Sequence, residues 1–171
     1  QEDISEKKYF ENIERKTAVL FQAASYIGAK ESGCSEEIIQ KLELFVKNLG
    51  LMFQLKDDIL DFTSNSKELG KETHKDFQNG IYTFPIIMAL KNPKAREVLL
   101  PIMRKNKEEK LSLAEILQLQ NYIIQFGGIE ASYEKIKYLS TINRHLIKEL
   151  GQNSEITVYL EKMLNDLEVE K

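Results

Sequence analysis

Apolar residues recur along most of the chain at the three- and four-residue spacing of helices, and sustained strand-like alternation is absent. The first such stretch runs from about Ile4 to Lys30. Within it Ile13, Leu20, Ala24 and Ile27 make one stripe, with Thr17 inside it. Gly33 is the stop signal. Ser35 then reads as the N-cap of a second helix, which the pattern carries to about Phe62. The second half of that helix is apolar almost all round, so it is expected to be buried. Residues 63–75 are polar, charged and glycine-containing, and read as a loop. Further helices are expected over 76–90, with Pro85 inside or near the start, and over 94–104, 112–126, 129–150 and 154–168. Pro93, Gly127-Gly128 and Gly151 are the breaks. The mixed charges from Lys105 to Lys110 read as a solvated turn. The pattern predicts a single all-α domain over 1–171, a helical bundle.

Composition narrows the classes of function. The chain has 171 residues, 42% hydrophobic and 30% charged, which is ordinary for a globular protein. Lys and Arg number 24 against 27 Asp and Glu, a net charge of −3. That is not the broad basic field of a nucleic-acid binder, so no nucleic-acid partner is expected. The one cysteine, Cys34, forms neither an internal disulfide nor a cysteine metal set, and favours a reducing, cytoplasmic setting. No run approaches the length of a membrane span. The chain opens Gln1-Glu2-Asp3 without Met and without an apolar leader, and is expected to be part of something longer.

The chemically informative segment runs from Phe53 to Phe62. Asp57 and Asp61 stand four apart on one helical face, and Asp58 is about 100° round from Asp57. Gln54 lies one turn earlier. Three carboxylates set among Leu49, Leu51, Met52, Phe53, Leu55, Ile59, Leu60 and Phe62 repel one another and need partners. A solvated acidic stripe is the bland explanation. A hard divalent cation such as Mg²⁺, which takes carboxylate, phosphate and water oxygens, is the functional one. Lys71, in Leu69-Gly70-Lys71, follows ten residues after Asp61, and Lys16-Thr17 lies upstream beside an apolar stripe. Lys16 alone reads as readily as a snorkelling side chain. Together, carboxylates for a metal and lysines for anions are what a diphosphate site needs.

On Lys16-Thr17, Phe53-Gln54, the Asp57-Asp58-Ile59-Leu60-Asp61 motif, Gly70-Lys71, Asp76, Gly80, Thr83 and Pro85, the chain resembles the trans-isoprenyl (E-polyprenyl) diphosphate synthases, in the order and spacing of their C-terminal half. The resemblance implies the C-terminal portion of the isoprenoid synthase fold. It also implies a Mg²⁺-dependent prenyltransferase that condenses an allylic diphosphate with isopentenyl diphosphate. Asp57 would bind Mg²⁺ directly, and Asp58 and Asp61 would hold metal-bound waters or the neighbouring lysine. Lys16 and Lys71 would contact the allylic diphosphate; Thr17 and Gln54 would present oxygens near the developing cation. A homodimer, or a heteromer with a second subunit, would follow.

Two departures qualify the resemblance. The family's first aspartate-rich motif and its basic residues for isopentenyl diphosphate are missing, so the chain alone is expected to be weakly active at best. Many relatives have a lysine where Ile81 stands, and Gly80-Ile81-Tyr82-Thr83-Phe84-Pro85 leans toward medium- and long-chain synthases. The alternatives are a noncatalytic helical partner of a heteromeric synthase, a terpene cyclase, and a helical interaction module with an acidic stripe. Lys16-Thr17 and Gly70-Lys71 speak against the cyclase. His74 and His145 are expected at the surface, Cys34 as a small packing residue, and Tyr122, Phe126, Tyr133 and Tyr138 as core and edge packing. The stretch 114–129 is a candidate dimer face.

Overall fold

The computed structural model describes residues 5–63, 77, 79–151 and 155–168. Their regular structure is helical throughout. In chain order the elements are α1 (Glu6–Ile13), a π-helical segment (Glu14–Ala18), α2 (Val19–Glu31), α3 (Glu36–Thr63), α4 (Phe84–Ala89), α5 (Pro93–Glu108), α6 (Leu113–Gln125), α7 (Gly128–Glu149) and α8 (Glu155–Leu167). The all-α expectation holds, and α3, α6, α7 and α8 follow the bounds read from the sequence within about two residues.

Local chemistry explains the boundaries. Ser35 sits before α3, where Ile38 N donates to its hydroxyl at 3.4 Å. Asn92 caps α5 by accepting from Lys94 N, and Pro93 occupies the first turn, where its missing N–H costs nothing. Pro93 therefore opens a helix as well as ending the preceding turn. Ser112 and Glu115 form a reciprocal capping box at α6. The Lys105 ammonium 2.6 Å from Glu115, with the Ser112 hydroxyl and amide, pulls that carboxyl down to about 2.

Three sequence expectations change. The helix expected over 76–90 is not continuous: Phe77 is helical, residues 79–83 are not, and α4 starts at Phe84; Gly80 turns the chain at φ 77° and Pro85 stands in the first turn of α4. The charged run after Arg104 is helical as far as Glu108 rather than a turn. The third change is the π segment. A π turn holds an extra residue, which shifts the phase of everything after it and breaks the single stripe expected through Ile13, Leu20, Ala24 and Ile27. Ile13 is buried, while Leu20 is 72% and Ile27 60% exposed.

The chain forms two compact units. One comprises Gln1–Tyr9 and Asp57–Tyr133. Its core includes Ile59, Phe62, Phe84, Ile86, Leu99, Leu119 and Ile123, and α6 packs against both α4 and α5. Gly127 turns the chain at φ 77°, and Gly128 opens α7 so close to α4 that an added Cβ would stand 2.2 Å from the Pro85 carbonyl oxygen. The other unit comprises Phe10–Lys56 and Glu134–Lys171. There Ile39, Leu42, Phe45, Leu49, Met52 and Leu55 form the buried stripe of α3. The buried Asn143 joins α7 to α3: it accepts from Asn48 Nδ2 at 2.9 Å and donates to the Phe45 carbonyl at 3.0 Å. Arg144 clamps α8 to α7 through Glu161, Asn165 and Glu168 at 2.7–2.9 Å. No helix among the described residues is long and apolar enough to cross a membrane.

Candidate active site

Helix α3 carries Gln54, Asp57, Asp58 and Asp61 as one uninterrupted run. Its core-facing residues Leu55, Ile59 and Phe62 are buried. Their burial sets which way the polar positions point. Asp57 is exposed, Asp61 and Gln54 are half-buried, and Asp58 is buried at 3%. The expectation that this half of the helix is covered all round is not met. Phe53 is 51% and Leu60 48% exposed, and by spacing they share a face with Asp57.

The carboxylates thus have separate surroundings. Asp58 Oδ2 accepts from the Tyr9 phenol at 2.6 Å and from Phe84 N at 3.1 Å, at the start of α4. The Tyr9 ring lies against that of Phe84, with centroids 5.4 Å apart. Asp57 stands on the open face. Among the described residues, no three Asp, Glu, His or Cys side chains gather to enclose a metal ion. Asp57 and Asp61, hard oxygen donors one turn apart on one face, still fit Mg²⁺, which commonly uses one or two carboxylates and completes its octahedron with water and phosphate oxygens.

In the unit that holds α2, Lys16 and Thr17 lie in the π segment. Such single π turns recur at functional positions. Ala18, the next residue, is fully buried, and an added Cβ on Gly50 would meet its Cα at 3.0 Å. Glycine at 50 is thus what lets the π segment lie against α3, one turn before Gln54. Lys16 is exposed and Thr17 half-buried. Lys71, Gly70, Asp76 and His74 lie outside the described residues. His145 is a surface residue, as expected, 3.0 Å from Glu149. Tyr138 is 60% exposed, and Tyr122 and Phe126 pair at 6.3 Å.

The residue that the sequence did not single out is Tyr9. It is 49 positions from Asp58 and reads as one more amphipathic helix aromatic. No local signal distinguishes it.

Comparison with known proteins bears on the same segments. The polyprenyl synthetase family model matches residues 1–120. The chain belongs to the polyprenyl synthetase family. It is 40% identical over 137 residues to the geranylgeranyl diphosphate synthase of Sulfolobus acidocaldarius, covering 77% of this chain and 42% of that protein. It is 40% identical over 105 residues to heptaprenyl diphosphate synthase component 2 of Bacillus subtilis, covering 61% and 30%. The crystal structure of geranylgeranyl pyrophosphate synthase from Bacteroides thetaiotaomicron superposes with a TM-score of 0.83 at 30% identity, over 98% of this chain and 54% of that one. The isoprenoid synthase fold is therefore shared. The chain spans about half the length of such relatives, or less.

Proposed function

We propose that this chain supplies the acidic, metal-binding part of a Mg²⁺-dependent prenyltransferase, one that joins an allylic diphosphate to isopentenyl diphosphate. The carrying observation is Asp57: an exposed carboxylate on an otherwise well-packed helix, followed one turn later by Asp61 and flanked on its face by exposed Phe53 and Leu60. Such a face suits a metal-bound diphosphate head with an apolar tail beside it. Asp57, with Asp61, would hold Mg²⁺, which when bound offsets charge on the diphosphate oxygens. Lys16 and Lys71 act as point charges toward the same anion. Thr17 and Gln54 direct oxygen dipoles at the positive charge left on the allylic carbon as the diphosphate departs. Synthesis of a medium or long polyprenyl chain, and a cytoplasmic location, belong to the same proposal. The chain is one portion of a longer catalytic domain, and by itself turns over weakly.

The test is a condensation assay on the chain alone and joined to the remaining length found in its relatives. Farnesyl diphosphate, isopentenyl diphosphate and Mg²⁺ are supplied, and products are weighed by mass spectrometry. The longer form should make a Mg²⁺-dependent prenyl diphosphate, and Asp57→Asn should lower its turnover by roughly a hundredfold or more with helicity unchanged. Near-normal turnover of Asp57→Asn would sink the assignment.

A noncatalytic partner in a heteromeric synthase is the second reading. Its heteromeric part, though not its noncatalytic part, is supported by relatives named as heptaprenyl diphosphate synthase component 2 and as the large subunit of a heterodimeric geranylgeranyl pyrophosphate synthase. Under that reading Asp57→Asn leaves the heteromer fully active.

A further inference from the structure

Asp58 differs from its neighbour in that its carboxylate is committed to the protein itself. It is 3% exposed, and one oxygen takes both the Tyr9 O–H at 2.6 Å and the Phe84 N–H at 3.1 Å. A buried carboxylate is retained at such a place only if donors satisfy it. The Phe84 amide stands at the first position of α4, where a helix has no carbonyl of its own to offer. Thr83, the residue in the capping position, makes no side-chain cap, and its buried hydroxyl has no hydrogen-bond partner among the described residues. Asp58 performs that capping from another helix. Tyr9 closes the arrangement from α1, 8% exposed, with its ring against Phe84.

We propose that Tyr9 is a positioning residue for the acidic motif, acting through Asp58. Asp57 and Asp58 are adjacent on α3 and about 100° apart round its axis. Pinning Asp58 to α1 and α4 fixes the rotation of the last turns of α3, and so holds Asp57 on the open face with Asp61 one turn on. Asp58 then acts as a structural acceptor and not as a metal ligand. This deepens the magnesium reading and rests on it for the metal arm of the test alone.

Four variants of the 171-residue chain separate the roles: Tyr9→Phe, Asp58→Asn, Asp58→Ala and Asp57→Asn. Exchange of the Phe84 amide is followed by NMR, and affinity for Mg²⁺ with inorganic pyrophosphate by calorimetry. Tyr9→Phe should speed Phe84 exchange roughly tenfold, since the carboxylate loses a charge-assisted donor. It should weaken Mg²⁺–pyrophosphate binding roughly tenfold as well, as loss of a supporting partner does at metal sites. Asp58→Asn retains a carbonyl oxygen able to accept both donors. It should keep Phe84 protection and metal affinity close to wild type, whereas Asp58→Ala speeds exchange and Asp57→Asn abolishes the metal binding with exchange unchanged. Unchanged Phe84 exchange in Tyr9→Phe overturns the proposal, whatever the metal does. So does an Asp58→Asn variant that loses Mg²⁺ as completely as Asp57→Asn. If the wild-type chain binds no Mg²⁺–pyrophosphate, the magnesium reading fails, and the exchange arm still decides the role of Tyr9.

Discussion

Helices α2 and α3 are written in much the same apolar alphabet, yet they meet different fates. From Ile39 to Phe62, α3 buries a continuous stripe that includes Phe45 and Met52 at no measurable exposure. Along Val19–Glu31, α2 buries only Ala29, while Val19, Leu20, Phe21, Tyr26 and Ile27 lie between 39% and 72% exposed. Propensity does not separate them. Neighbours do: α3 is held by α7 through the Asn48–Asn143 pair and by α8 where Lys56 donates to the Asp166 carbonyl at 2.8 Å. An apolar pattern states which surface is better dry; a second element has to make it so.

The contrast can be pressed from its strong end to its weak one. Phe45→Ala opens a cavity under the Asn143 hydrogen bond and should cost about 3–5 kcal/mol in chemical denaturation, a large share of a domain's usual stability. A cost below about 1 kcal/mol would mean that the α3 stripe is loosely packed. Gly50→Ala tests the junction between the two helices. Alanine favours a helix by about 1 kcal/mol over glycine, but its methyl meets Ala18 Cα at 3.0 Å. Overpacking typically costs about 1–3 kcal/mol, so the net expectation is a loss of about 1 kcal/mol. A gain in melting temperature would show that the π segment yields freely. Leu20→Gln should change stability by less than about 0.5 kcal/mol, because the side chain leaves little protein contact behind. A large loss of stability would mean that α2 is covered within this chain after all.

Much of the helical pattern was legible because its signals are local. Ser35 marks a start, Pro93, Gly127-Gly128 and Gly151 mark breaks, and a period near 3.6 runs between them, whereas the caps at Asn92 and Ser112 came into view only with the structure. Pro85 was recognised but the helix around it was drawn too long, since a proline limits a helix only through the hydrogen bonds and neighbours that the fold then supplies. The phase slip between Ile13 and Leu20 was not legible: a π turn leaves composition unchanged and is chosen by how Ala18 seats on Gly50. The acidic motif was visible as a set of residue types. What could not be read was its division, with Asp57 on the open face and Asp58 occupied by Tyr9 and Phe84.

Sequence by itself determined the all-α class, the bounds of α3, α6, α7 and α8, and the chemistry on offer: paired carboxylates, lysines and a Lys-Thr element in an order that marks the family. These follow from interactions between residues a few positions apart, or from residue identity alone. Tertiary structure decided which carboxylate meets solvent, which apolar stripe becomes core, and which glycine is there for close approach. Each of those depends on partners tens of residues away, as Tyr9 is from Asp58. Burial and hydrogen-bond satisfaction are properties of the assembled surroundings, and a local pattern carries no record of them.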